Sequence, residues 1–148
     1  MFQNVTKIAI ACDHGGFQLK KAIMVSFGGR MEWLDLGTNS EESCNYADYG
    51  HAMAMVITEG KAPCGIIICG SGIGISMAAN RHKGVRAALC TNSTMARLSR
   101  QHNDANVLAL GARIIGLPVA LDCIEAFLDT EFEGGRHKER VERIDTGI

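Results

Sequence analysis

The sequence predicts an α/β three-layer sandwich: a five-stranded parallel sheet, helices on both faces, and one extra helix at the C-terminus. Three observations carry this. Five short apolar runs alternate with helix-compatible stretches, the pattern of a parallel sheet. Three of those runs are apolar almost without interruption, as strands covered on both faces are. The chain has 148 residues, the size of one domain, and a domain of that size buries roughly two-thirds of its unfolded surface.

Each element has its own reason. Residues 7–11 (KIAIA), 32–36 (EWLDL), 65–69 (GIIIC), 85–90 (VRAALC) and 106–110 (NVLAL) read as strands. They are short, β-branched or Leu-rich, and flanked by Gly, Asn or Asp. Residues 17–27, 46–60, 74–82, 93–101 and 117–129 suit helices. In "LKKAIMVSF" and "YADYGHAMAMVI" the apolar residues recur at three- and four-residue spacing. Gly50 weakens the second helix by about 1 kcal/mol relative to Ala. Pro118 fits the first turn of its helix. The Gly134-Gly135 pair breaks the chain, and a short charged helix begins at Arg136. Five strand–helix units in this order give a Rossmann-like or flavodoxin-like architecture, with no linker or internal repeat.

Bulk properties set limits on function. Apolar residues make up 47%, charged residues 21%, and the net charge is −1. That balance describes an ordinary globule and gives no support for nucleic-acid or acidic-membrane binding. The opening "MFQNVTKIAIAC" lacks the basic region and long apolar core of an export signal, and no run approaches the ~18 apolar residues of a membrane span. Of the six cysteines, no two have C-x-x-C spacing, which argues against a zinc knuckle or a thioredoxin-type motif. Several lie in or beside strand-like runs, as reduced buried thiols do. A cytoplasmic, reducing location is expected.

In open α/β sheets, ligands bind beyond the carboxyl ends of the strands. That rule selects Cys12-Asp13-His14-Gly15-Gly16, Gly37-Thr38 with the loop toward Tyr46, Cys69 with the glycine turn after it, and Gly111-Ala112-Arg113. The turn reads "CGSGIGIS". Gly70, Gly72 and Gly74 give G-x-G-x-G, but Ile75 fills the last slot of a dinucleotide fingerprint. The next strand ends in Thr91-Asn92, without the acid that would hold a ribose diol, and no Lys completes a P-loop. The turn therefore suits neither NAD nor ATP. It does offer several backbone N–H groups to a developing negative charge. Cys69 stands at its entrance, where amides and a helix start favour the thiolate. Residues 69–80 contain no Asp or Glu, so a base in this turn would be Cys69.

Plainer roles are open to the other candidates. Asp13 could cap the helix at 17–27 and His14 could sit at the same helix start. His102 and Asn103 could lie in a polar loop. They precede strand five, at the opposite edge of the sheet from Cys69, so a catalytic His102 would reach a neighbour's site more easily than its own. Arg136 and Arg140, four apart, share one helix face. Two aligned guanidinium groups match a phosphate, although a solvated charged tail has the same pattern.

Five segments in order, "ACDHGG" at 11–16, "LDLGT" at 34–38, "IICGSGIGISMAANR" at 67–81, "LSRQHNDANVLALGAR" at 98–113 and "EGGRHKERV" at 133–141, resemble the type B ribose-5-phosphate isomerase family. That group also holds the galactose-6-phosphate isomerase subunits. The resemblance covers nearly the whole chain. It implies aldose–ketose isomerisation of a phosphorylated pentose, with no metal or organic cofactor. It implies Cys69 as the base between C1 and C2, and His102, from the partner of a homodimer, as the ring-opening group. Asp13, His14, Tyr46 and Asn103 would contact sugar. Gly70, Ser71, Gly72, Ile73 and Gly74 would bind the enediolate, and His14, Arg113, Arg136 and Arg140 the phosphate.

Two departures stand out. Asn45-Tyr46-Ala47 replaces the frequent Asp-Tyr-Pro, and Ser71 stands where threonine is common. The first leaves substrate length open, so a hexose-6-phosphate isomerase acting on allose or galactose 6-phosphate is the alternative. A sugar-phosphate sensor without catalysis is a third reading, but it has no use for Cys69 and His102 together. The choice between dimer and tetramer stays open.

Overall fold

The computed structural model describes residues 5–147, so the first four residues of the segment read for an export signal lie outside it. The elements run β1 (Lys7–Cys12), α1 (Phe17–Phe27), β2 (Glu32–Asp35), α2 (Tyr46–Thr58), β3 (Gly65–Cys69), α3 (Ile73–Ala79), β4 (Ala87–Leu89), α4 (Ser93–Asn103), β5 (Val107–Gly111), α5 (Leu117–Asp129) and α6 (Arg136–Thr146). The five strands form one sheet in the order β2-β1-β3-β5-β4, and every pairing is parallel. This is the Rossmann-like sandwich that the alternation predicts. Among the described residues no helix is long and apolar enough to cross a membrane.

The period of two along each central strand divides the core into two layers. Ile8, Ile10, Ile66, Ile68, Leu108 and Leu110 pack on one face, against Ile23 and Phe27 of α1 and Cys123, Ile124 and Phe127 of α5. Ala9, Ala11, Ile67, Cys69, Val107 and Ala109 pack on the other, against Met53 and Ala54 of α2 and Ile75 and Ala79 of α3. Small residues on the second face let α2 and α3 approach closely. Gly50 belongs to that closeness: a Cβ there would lie 2.7 Å from the Ile75 carbonyl oxygen and 2.8 Å from Ala78 Cβ. The propensity cost of glycine in α2 is offset by helix packing.

Several boundaries differ from the sequence expectation. The strand expected over 85–90 is Ala87–Leu89; Arg86 just before it holds Asp104 through its side chain at 3.0 Å. The helix expected over 74–82 is Ile73–Ala79. The helix expected to end at 101 continues to Asn103, so His102 and Asn103 occupy a last helical turn instead of a polar loop. The helix expected over 46–60 ends at Thr58, where the chain turns into Gly60 with φ 69. The strands at 32–36 and 106–110 are Glu32–Asp35 and Val107–Gly111.

Candidate active site

The sheet order reverses direction between β1 and β3, and this is where an open α/β sheet leaves a crevice at its carboxyl edge. Asp13 and His14 follow β1, the glycine turn follows β3, and Arg113 lies just beyond β5. These segments touch. A Cβ on Gly15 would lie 3.3 Å from the Gly70 nitrogen, and one on Gly70 would lie 3.3 Å from Arg113 Nη1. The Arg113 N–H donates to the Gly70 carbonyl at 2.9 Å. A carboxylate, an imidazole, a thiol and a guanidinium therefore gather on one rim.

Cys69 is the last residue of β3, 4% exposed. The Gly72 N–H donates to its sulfur at 3.1 Å. That donor stabilises whatever negative charge the sulfur carries. Two glycines of the turn leave no room for a side chain. Gly72 has φ 77, and a Cβ on it would lie 2.9 Å from the Leu110 carbonyl carbon. A Cβ on Gly74 would lie 2.6 Å from the ring of Tyr46, the first residue of α2. The Ile73 N–H donates to Ser71 Oγ at 3.2 Å, so the serine hydroxyl shapes the turn from within. The first turn of α3 leaves further N–H groups without intrahelical acceptors, that of Gly74 among them.

Asp13 Oδ1 accepts from the Gly16 N–H at 3.1 Å, so the carboxylate caps a short 3-10 turn, His14–Gly16, that leads into α1. The Cys44 N–H donates to His14 Nδ1 at 3.2 Å. In the neutral imidazole this assigns the remaining proton to Nε2. Asn45 caps α2 by accepting from the Ala47 N–H at 2.9 Å. The departure from Asp-Tyr-Pro thus keeps a capped helix start beneath Tyr46.

Four other cysteines lie in the core. Burial pushes the Cys12 and Cys123 thiols up to about 11 and the Cys64 and Cys90 thiols up to about 12. These four are neutral core groups, as expected of small hydrophobes.

The other predicted residues gather elsewhere. α4 runs back along the sheet, so His102 and Asn103 reach the amino edge, before β5. The five residues of β5 separate the two edges by about 16 Å. Within one chain His102 and Asn103 are not brought to Cys69. Asn103 borders a cleft of about 460 Å³ with Arg81, His82, Arg86 and Asp145. Arg136 and Arg140 belong to the His102 side, since α6 starts where the Glu133 N–H donates to the Gln101 carbonyl at 3.1 Å. Among the described residues no acid forms an ion pair with Arg113, Arg136 or Arg140.

Three residues that organise these regions are absent from the sequence expectation. His137 is 6% exposed and its ring stacks on that of His102, centroids 4.4 Å apart and planes 12° apart. Arg100, 2% exposed, binds the Ala105 and Thr130 carbonyls and Asp104, and so fixes the end of α4. Lys20, 1% exposed, reaches Asp35 at 2.6 Å and the Thr38 carbonyl at 2.7 Å. Lys20 alone left a trace: it lies in line with the apolar positions Ile23 and Phe27. His102, His137 and Glu133 offer three ligand atoms within 4.8 Å of one another. Stacked imidazoles carry their lone pairs in parallel planes, however, and such lone pairs do not converge on one ion.

Comparison with known proteins brings one family forward. The sequence model of the ribose/galactose isomerase family matches residues 8–144. The chain is 48% identical over 139 residues to ribose-5-phosphate isomerase B of Escherichia coli, covering 93% of each. The structure of the Clostridium thermocellum ribose-5-phosphate isomerase B superposes with a TM-score of 0.92 at 51% identity, covering 95% of each chain. That of the Mycoplasma genitalium enzyme with bound ribulose-5-phosphate superposes with a TM-score of 0.87 at 39% identity, covering 95% of this chain and 94% of that one.

Proposed function

This chain belongs to the ribose/galactose isomerase family, and on that premise we propose that it interconverts ribose 5-phosphate and ribulose 5-phosphate, with Cys69 as the base and His102 as the ring-opening group. One observation carries the proposal: a thiol at the mouth of a glycine turn, its sulfur held by the Gly72 N–H at 3.1 Å. That is a base beside an oxyanion site, and the reaction needs both.

The proposed steps are these. His102 gives a proton to the ring oxygen, the anomeric hydroxyl passes its own to solvent water, and the furanose opens to the aldehyde. The Cys69 thiolate takes the proton from C2, and the electron pair moves to the carbonyl oxygen as the enediolate forms. Free N–H groups of the glycine turn donate to that oxygen. With the O2 proton passed to O1, return of the proton from sulfur to C1 gives the ketose, its carbonyl now at C2. Because His102 lies across the sheet from Cys69, the two act together only if a second copy supplies the partner subunit's His102. Ile73 and Met77, one turn apart on α3 beside the turn, are 48% and 60% exposed and offer such a copy an apolar face. Arg136 and Arg140 would arrive with that His102, while Arg113 stays on the Cys69 side. The phosphate would then be clamped from both subunits, and clamping aligns the opened chain. The six free thiols suit a reducing cytoplasm.

The test is Cys69→Ala assayed on ribose 5-phosphate, with binding of the substrate followed by calorimetry. Turnover should fall by roughly 10³-fold while binding persists. Unchanged turnover would remove Cys69 from the mechanism. Greater catalytic efficiency on allose 6-phosphate or galactose 6-phosphate would replace the pentose as substrate.

A further inference from the structure

We propose that His137 is a positioning residue for ring opening, a fixed imidazole face that sets the plane of His102. The proposal rests on the reading of His102 given above. His102 stands in the last turn of α4 and is only half-buried, so helix geometry alone leaves its ring free to rotate. The stacked ring of His137, 4.4 Å away and 12° from parallel, removes that freedom. His137 itself cannot swing. It is 6% exposed, its N–H donates to the Gly134 carbonyl at 3.0 Å, and the Glu133 N–H ties the segment to Gln101 at 3.1 Å. The far end of α6 is pinned as well, by the Gly84 N–H on Asp145 Oδ1 at 2.8 Å.

The chemistry of the pair assigns the roles. His137 Nε2 is buried without a hydrogen-bond partner, with Glu133 Oε2 at 3.7 Å. The groups around it are His102 from α4, Glu133 before α6, and Arg136 and Arg140 on α6. Burial, then His102 and Arg136, hold its protonation below the ordinary histidine range, and Glu133 opposes them. Two imidazolium rings face to face repel, so the stack disfavours charging both rings at once. His137 is buried behind His102, which is the more exposed ring of the pair. It acts through that ring.

The two directions of the reaction separate this role from a structural one. Ribose 5-phosphate must be opened. Ribulose 5-phosphate has its C5 hydroxyl esterified, is acyclic, and can leave as the open aldose. His137→Ala should lower kcat on ribose 5-phosphate by about tenfold, the scale of a misplaced catalytic group, with KM little changed. Consumption of ribulose 5-phosphate should stay within about twofold of wild type, since that direction does not use the stack. His137→Phe, which keeps a flat face, should recover most of the loss. If the alanine variant does not fold, His137→Asn, similar in volume but without a ring face, takes its place. Equal losses in both directions, no loss at all, or a phenylalanine variant no better than alanine overturns the proposal. His102→Asn is run beside them. If it shows no difference between directions, the ring-opening reading of His102 fails, whereas a difference in His102→Asn without one in His137→Ala defeats only the role of His137.

Discussion

The two edges of the sheet are built by opposite means. At the carboxyl edge the site is mostly backbone: glycines at fixed φ, N–H groups, a thiol at a strand end, and a carboxylate used as a cap. At the amino edge it is mostly side chains. His102 stacks on His137, Arg136 and Arg140 of α6 form no ion pair among the described residues, and the buried Arg100 holds the helix end. The first edge can be rigid alone, because its atoms belong to turns locked between strands and helices. The second carries its cations outward and needs something to face. One edge resembles a completed half-site, the other a group offered to a neighbour.

The sharpest way to break this comparison is to separate the halves. Cys69→Ala and His102→Asn should each abolish most turnover of ribose 5-phosphate, by roughly 10³-fold and 10²-fold. Mixing the two variants after mild denaturation and refolding should restore activity. In a twofold-symmetric dimer, half of the assemblies are mixed and each has one intact site, so about a quarter of wild-type activity returns. A mixture that stays inactive under conditions where wild type refolds would place both residues of a working site in one chain, against the distance between the edges.

Gly72→Ala tests whether the first edge is as rigid as its packing implies. The residue has φ 77, and an added Cβ meets Leu89 Cδ1 at 2.5 Å and the Leu110 backbone at 2.9 Å. Left-handed strain plus overpacking should cost about 2–4 kcal/mol, read as a lower midpoint in urea. Full stability with full activity would mean that the turn adapts.

The unequal legibility of the two edges has a physical cause. The glycine turn could be read because close approach and positive φ admit few residues, and the composition of "CGSGIGIS" reports that directly. The strands could be read because double burial demands continuous apolar runs. Arg100 and His137 left no such trace. A buried arginine in "RLSRQHND" and a buried histidine in "RHKERV" look like solvated polar positions until tertiary structure covers them. The helix end at Asn103 was missed for a related reason: Asp104, in the left-handed conformation with φ 47, is fixed by Arg86 and Arg100, partners 18 and 4 residues away. Asp13 shows the reverse. A capping role was open to sequence reasoning, which placed it on the helix at 17–27; Asp13 caps the 14–16 turn that leads into that helix instead.

Arg140→Ala reaches the exposed half alone. With no acid pairing this guanidinium among the described residues, its removal should leave stability unchanged and raise KM for ribose 5-phosphate about 10- to 100-fold, the worth of a charge-assisted contact. The effect should shrink as salt rises. A large fall in melting temperature instead would make Arg140 part of the scaffold, and the contrast between the edges would lose its electrostatic side.

The smallest expected effect concerns the layer between the edges. Cys64 is held up to about 12 and Cys12 to about 11 by burial, while a thiol in the unfolded chain ionises near 8.5. The folded state therefore binds more protons than the unfolded state above that pH. Stability from these thiols is complete at neutral pH and declines as pH climbs from about 9 toward 11–12. Cys64→Ala removes one such group, at the cost of a small cavity. Its urea midpoint should start slightly below wild type at pH 7 and fall less steeply between pH 9 and 10.5, by about one proton's worth of slope. Parallel slopes would mean that Cys64 ionises in the folded protein as it does in the unfolded chain. The core would then be open to hydroxide at that point, and the rigidity assigned to the carboxyl edge, which rests on a dry sheet beneath it, would need another source.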